Sequence, residues 1–64
     1  MSNTYYEGAI GRYSFIMNED TNIEVWEENV LDLPYAYIPV KSGYIRNEKD
    51  FHFEISDWYM KHVG

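Results

Sequence analysis

The chain has 64 residues and no cysteine, so it is at most one small domain, and neither disulfides nor thiolate-bound zinc can stabilise it. Its net charge of −6, from 11 Asp and Glu against 5 Lys and Arg, argues against direct binding to a nucleic-acid backbone. No apolar stretch approaches the roughly 20 residues that span a bilayer, and the N-terminus lacks a secretion-signal pattern. The sequence therefore predicts a single acidic domain, 1–64, in the cytoplasm.

The first predicted element is a β-hairpin over 9–28. Its first strand shows period-two alternation from Ala9 to Met17, and Gly8 and Gly11 leave room for a bulge or a close backbone approach. The better-buried face of that strand carries Tyr13, Phe15 and Met17. A polar run at 18–22 predicts the turn.

The second strand of this hairpin separates apolar from acidic side chains. Ile23 and Val25 fall on one face, and Trp26 falls on the other together with Glu24 and Glu28. Two arrangements are open for Trp26. Either it points outward among the carboxylates, or it enters the core together with the tyrosines of the next strand.

An edge strand is predicted over 35–40, because Pro39 removes a ladder donor and is tolerated at a sheet edge. Tyr35 and Tyr37 fall on one face of this strand, and the other face is aliphatic. A turn at 42–43 precedes a short fourth strand at 44–45.

The last third of the chain predicts a helix over 48–63. Asn47 is a suitable N-cap, and an apolar stripe recurs at helical spacing: Phe51, Ile55, Trp58, Tyr59 and His62. Residues 51–56 also alternate as a strand would, but a run of this length without Gly or Pro favours a helix. The predicted fold class is α+β: a small antiparallel sheet of three to four strands packed by one C-terminal amphipathic helix.

The sequence has no recognisable pattern of a catalytic, cofactor or metal site. His52 and His62 are ten residues apart, roughly 15 Å along a helix, which is too far for joint action. Neither histidine has a recognised ligand spacing with an acidic neighbour, and no serine has the context of a nucleophile. We expect no catalytic residues, no cofactor and no metal, and we expect that the protein is not an enzyme.

The acidic and aromatic residues are the features of the sequence that most indicate a function. No basic residue occurs between Arg12 and Lys41, and six acids fall in that interval, which predicts one strongly negative surface. Rigid aromatic side chains ringed by carboxylates are typical of an interaction surface for a basic partner. The candidate partner-binding residues are Glu24, Trp26, Glu27, Glu28, Asp32, Tyr35 and Tyr37.

The sequence thus predicts a small acidic inhibitor or adaptor that binds a basic protein surface, with no membrane and no direct nucleic-acid contact. In general character it resembles the short acidic proteins that phages encode against host enzymes and defence systems, including DNA mimics and anti-CRISPR proteins, although no motif matches one family. That resemblance implies the host cytoplasm as location and a nuclease, polymerase or CRISPR effector as the blocked protein.

An alternative function rests on Phe53 and Met60. These residues are seven apart and project opposite the main helical stripe, so a helix packed only on a sheet leaves them exposed unless Leu31 and Leu33 cover them. Exposed, they would form an oligomer interface. The alternative is therefore a homo-oligomeric structural or small-ligand-binding module with an aromatic-lined interface, in its simplest form a homodimer.

Overall fold

A computed structural model describes residues 4–30 and 32–63 of the chain. In these residues, four strands form one antiparallel sheet in the order β1-β2-β3-β4, and one helix packs against it. The elements are β1 Tyr6–Ile10, β2 Tyr13–Glu19, β3 Asn22–Glu27, β4 Ala36–Pro39 and α1 Glu48–His62. The predicted α+β fold, a small sheet with one C-terminal helix, is confirmed.

The strand predicted from Ala9 to Met17 is two strands. A turn at 11–12 separates β1 from β2, with Gly11 at a φ of 60°, and Ile10 pairs with Tyr13 across it. A two-residue hairpin turn favours glycine at a position with positive φ. Because alanine and glycine are too small to show which face they occupy, the alternation concealed this turn.

The predicted hairpin between β2 and β3 is confirmed. Glu19 pairs with Asn22 across a two-residue turn, and the register shifts between Ile16 and Glu19. β4 then pairs with β3 at the sheet edge, as predicted from Pro39.

The core lies between the sheet and α1. It contains eight buried apolar side chains of the described residues: Phe15, Met17, Ile23, Val25, Ile38, Ile45, Phe51 and Ile55. The predicted fourth strand at 44–45 is wrong, because neither residue has a strand partner and the fourth strand is β1 instead. Ile45 enters the core from a loop, whereas Tyr44 is exposed.

The close approach predicted at Gly8 occurs between β1 and the helix. A Cβ built at Gly8 would lie 3.3 Å from His52 Cε1 and 3.4 Å from Ile55 Cδ1, which is tighter than most real contacts. The absence of a side chain at Gly8 therefore lets α1 pack directly over β1.

Helix α1 begins at the predicted N-cap. The Asn47 side chain accepts a hydrogen bond from the Asp50 N–H at 2.8 Å, as an N-cap should. Lys61 and Asp57 form an ion pair at 3.1 Å that is exposed to solvent and contributes little stability. In 4–30 and 32–63, no helix has the length and apolar character needed to cross a membrane.

Candidate functional site

The two faces of the sheet have different environments. One face is covered by α1, and none of the described helices or strands packs on the other, which we call the open face. Strand alternation and register place ten side chains on it: Glu7, Ala9, Ser14, Ile16, Glu19, Asn22, Glu24, Trp26, Tyr37 and Pro39.

A row of side chains crosses all four strands of the open face. Ile16 pairs with Glu7 on β1 and with Glu24 on β3, and Glu24 pairs with Tyr37 on β4. Directly paired residues have Cβ atoms about 4.5–5.5 Å apart. The row therefore alternates carboxylates with apolar groups, and Tyr37, its aromatic member, is 56% exposed.

Trp26 is held on this face by a hydrogen bond within its own strand. Its Nε1–H donates to Glu24 Oε1 at 3.0 Å, so the indole and the carboxylate orient each other. Trp26 pairs with Ser14, and Ser14 pairs with Ala9. Because Ser14 and Ala9 have small side chains, they project less from the sheet than the indole does. A shallow recess of about 430 Å³ lies over β1 and β2 on this face, and its lining residues include Glu7, Ala9, Ser14 and Ile16.

Among the described strand residues that project from the open face there are acidic groups and no Lys or Arg. The charged members of this face are Glu7, Glu19 and Glu24. Arg12 lies in the turn at the end of β1, and the other four basic residues follow β4 in sequence. A partner that contacts this face therefore meets carboxylates beside rigid aromatic and aliphatic surface.

The structure brings together three of the seven predicted partner-binding residues. Glu24, Trp26 and Tyr37 share the open face. Glu28 and Asp32 lie exposed outside the sheet, in the segment after β3. Of the two arrangements considered for Trp26, the structure has the outward one: Trp26 lies on the face opposite the core, and Ile23 and Val25 are buried under the helix.

The other two predicted residues, Glu27 and Tyr35, lie on the helix side. Glu27 pairs with Tyr13, whose side chain points towards α1. The prediction that Tyr35 shares a face with Tyr37 is wrong, because the Tyr35 ring packs 5.4 Å from that of Tyr13. The Tyr35 N–H donates to Val25 O at 2.6 Å although Val25 pairs with Ala36, so the ladder is irregular here and the alternation of side chains is interrupted.

An aromatic cluster explains the position of Tyr35. His62 stacks on Trp58 with ring centroids 4.6 Å apart, and a hydrogen bond of 2.7 Å joins His62 Nε2 to Tyr35 Oη. Tyr13 packs against all three rings, and its burial, reinforced by the neighbouring Tyr35 and Glu27, raises the pKa of its phenol. This cluster ties the helix end to the sheet, as expected for His62 at the end of the apolar stripe.

The acidic interval does not form one surface, contrary to the prediction. Glu19 and Asp20 lie at the β2–β3 turn, where Asp20 accepts a 2.6 Å hydrogen bond from Ser42 Oγ. Glu28 and Asp32 follow the opposite end of β3. A hairpin places consecutive acids at both of its ends and on both faces, so proximity in sequence did not mean proximity on the surface.

Phe53 and Met60 are exposed, as the helical pattern predicts. Their exposures are 69% and 71%, and Leu33, one of the two residues considered as cover for them, is itself 70% exposed. Leu31 lies outside the described residues. Self-association through this side of α1 stays a prediction.

If the Phe53 and Met60 side of α1 forms a homodimer, Phe53→Asp should convert the dimer to a monomer, because burying an unpaired carboxylate at an interface is unfavourable. Light scattering across protein concentrations measures the change. A wild-type protein that is monomeric at every concentration contradicts this interface.

Sequence reasoning missed Glu7, Ala9, Ser14 and Ile16. Glu7 precedes the predicted strand, and Ala9 lies on β1, which was not recognised as a separate strand. Ser14 and Ile16 lie on β2, and no residue of that strand was included in the predicted site. The glycine at position 11, inside an otherwise alternating run, was the available signal for a turn and hence for an additional strand.

Within 4–30 and 32–63, no group of three or more His, Asp or Glu side chains is arranged to hold a metal ion. Comparisons with protein-family models, with curated proteins and with solved structures give no significant match to this chain.

Proposed function

We propose that this protein is a small binding module that docks its open face onto a basic surface of another protein. The observation that carries the proposal is the row of Glu7, Ile16, Glu24 and Tyr37 beside Trp26, on a sheet face whose described strand residues include no Lys or Arg. Tryptophan and tyrosine are enriched among residues that dominate binding energy, and carboxylates beside them select for basic partners.

The arrangement of this face supports binding with little ordering cost. Trp26 and Glu24 are already hydrogen-bonded to each other, and both side chains project from a strand paired on both sides. Rigid groups lose less conformational entropy on binding than free side chains do. The net charge of −6 also accelerates encounter with a basic protein, more at low than at high ionic strength.

At that surface the protein acts as an inhibitor or as an adaptor. A basic site that normally holds nucleic acid is the kind of surface this face fits, since carboxylates can occupy the positions of phosphates. Competition separates the two roles. Displacement of the captured partner by a short DNA duplex supports inhibition by mimicry, and a ternary complex with DNA supports an adaptor.

Charge reversal on the open face tests the proposal. Tagged protein should capture a basic partner from cells of the source organism, and Glu24→Lys should weaken capture at least about tenfold, because the carboxylate is replaced by a charge that repels the partner. Affinity measurements with the purified partner at two salt concentrations quantify this loss.

The matched control is Glu54→Lys, which makes the same charge change at a half-buried glutamate on α1. It should leave the affinity within about twofold, since only general electrostatic attraction is changed. Equal losses in the two variants would show that the open face is not the contact surface, and circular dichroism verifies that both variants are folded.

A further inference from the structure

The two outer edges of the sheet differ in the hydrogen-bonding groups they present. β1 and β4 are the edge strands, and each is paired on one side. In an antiparallel ladder, alternate residues direct their backbone N–H and C=O groups to the partner strand, and those between direct them away. The register therefore determines which groups each edge leaves unpaired by the sheet.

On β1, the outward groups belong to Glu7 and Ala9. Ile10 and Tyr13 pair directly across a two-residue turn, so these two residues exchange both ladder hydrogen bonds. Every second residue shares this orientation, so Gly8 and Tyr6 also direct their backbone groups towards β2. β1 contains no proline or lysine, the residues that commonly protect an edge.

On β4, the outward groups belong to Tyr37 and Pro39. The Val40 N–H donates to Thr21 O at 2.9 Å. Every second residue before Val40, including Ile38, therefore also directs its backbone groups towards β3. Because proline has no N–H, only Tyr37 offers an outward donor in this strand. The β4 edge is therefore protected against further pairing, and the β1 edge is not.

Charge at the β1 edge identifies the kind of strand that fits it. A recess of about 350 Å³ beside the start of β1 is lined by two carboxylates, Glu7 and Glu48, and by Thr4, Tyr5 and Tyr6, with no basic residue. Two copies of this chain paired at β1 would each bring a net charge of −6 and these same carboxylates to the junction. An extended basic segment meets opposite charge instead.

We propose that β1 accepts an extended, lysine- or arginine-rich segment of a partner protein as a fifth strand. The backbone groups of Glu7 and Ala9 form the new ladder hydrogen bonds, and Glu7 and Glu48 contact the basic side chains. Main-chain pairing supplies affinity, and side chains supply selectivity, as in other cases of strand addition. The inference rests on the proposed function, because it describes how a basic partner adjoins the open face.

The test uses a synthetic probe, a capped peptide of about seven alternating lysine and valine residues, long enough for a typical strand. In ¹⁵N-labelled protein, the peptide should slow hydrogen exchange of the Glu7 and Ala9 amides by about tenfold or more, because they become hydrogen-bonded. A peptide of alternating glutamate and valine is the control and should leave both amides unchanged.

Backbone N-methylation, introduced by chemical synthesis, locates the pairing edge. N-methyl-Ala9 removes an outward donor and blocks a neighbouring strand without breaking the β1–β2 ladder, so it should lower peptide affinity about tenfold or more. N-methyl-Tyr37 makes the same change on β4 and should have little effect. Fluorescence anisotropy measures the peptide affinity, and circular dichroism confirms the fold.

Other outcomes separate this inference from the proposed function. Peptide-induced shifts at the Trp26 indole N–H without protection of Glu7 and Ala9 overturn strand addition and leave open-face binding intact. Absence of any binding overturns strand addition, while capture of the partner remains an independent result. Protection of the two amides that grows with protein concentration in the absence of peptide assigns the β1 edge to a second copy and also overturns the inference.

Discussion

Replacing Phe51 with alanine should lower the free energy of unfolding by about 3–5 kcal/mol. Phe51 is fully buried, and its ring packs 5.7 Å from that of Tyr6 on β1. Removing a buried phenylalanine side chain costs about 3–5 kcal/mol, and a domain of this length has roughly 3–10 kcal/mol in total. The substitution therefore removes a large part of the free energy of unfolding, which urea denaturation followed by circular dichroism measures.

The same helix provides the control. Phe53→Ala makes the identical chemical change at a residue that is 69% exposed, and it should alter the free energy of unfolding by no more than about 0.5 kcal/mol. If the two variants were destabilised equally, the side of α1 that faces the sheet would be assigned wrongly, or Phe53 would be buried in an oligomer.

Replacing Tyr37 with alanine should weaken partner binding about 30-fold or more. Tyr37 ends the row of side chains across the open face, and its 56% exposure leaves most of its ring available to a partner. Truncation of an interface hot spot costs about 2 kcal/mol or more, which corresponds to this change in Kd. Calorimetric titration with the purified partner gives the value.

Tyr44→Ala is the matched control for this prediction. Tyr44 is 53% exposed, nearly the same as Tyr37, but it lies in the loop before α1 and not on the open face. It should bind the partner with an affinity close to that of the wild type. A larger loss at Tyr44 than at Tyr37 would move the contact surface to the other side of the molecule.

Much of the fold was predictable because strong periodic patterns have few structural solutions. The run from 48 to 62 combined a cap, a first turn with acids and an apolar stripe, all of which favour a helix. β1 was missed because Gly8, Ala9 and Gly11 carry too little side chain to reveal a face. Ile45 shows a second limit: a single buried residue in a loop has no periodicity to detect it.

The candidate site was predictable only within a strand. Alternation alone placed Glu24 with Trp26, because neighbours two apart in a strand share a face. Ile16 and Glu7 lie beside Glu24 because of the register between strands, and patterns within one strand do not determine that register. Tyr35 departed from its predicted face because its backbone pairing with β3 is irregular and its ring contacts Trp58 and His62 of α1, which are distant in sequence.

Site-specific photo-crosslinking tests the open face most directly, because it reports contact without removing a side chain. Protein carrying p-benzoylphenylalanine in place of Tyr37 or of Tyr44 is irradiated with the captured partner, and the crosslinked peptides are identified by mass spectrometry. We expect crosslinks from position 37 to a lysine- or arginine-rich surface of the partner and none from position 44. Crosslinks from position 44 alone, or from position 37 to an acidic surface, would contradict binding of a basic partner through the open face.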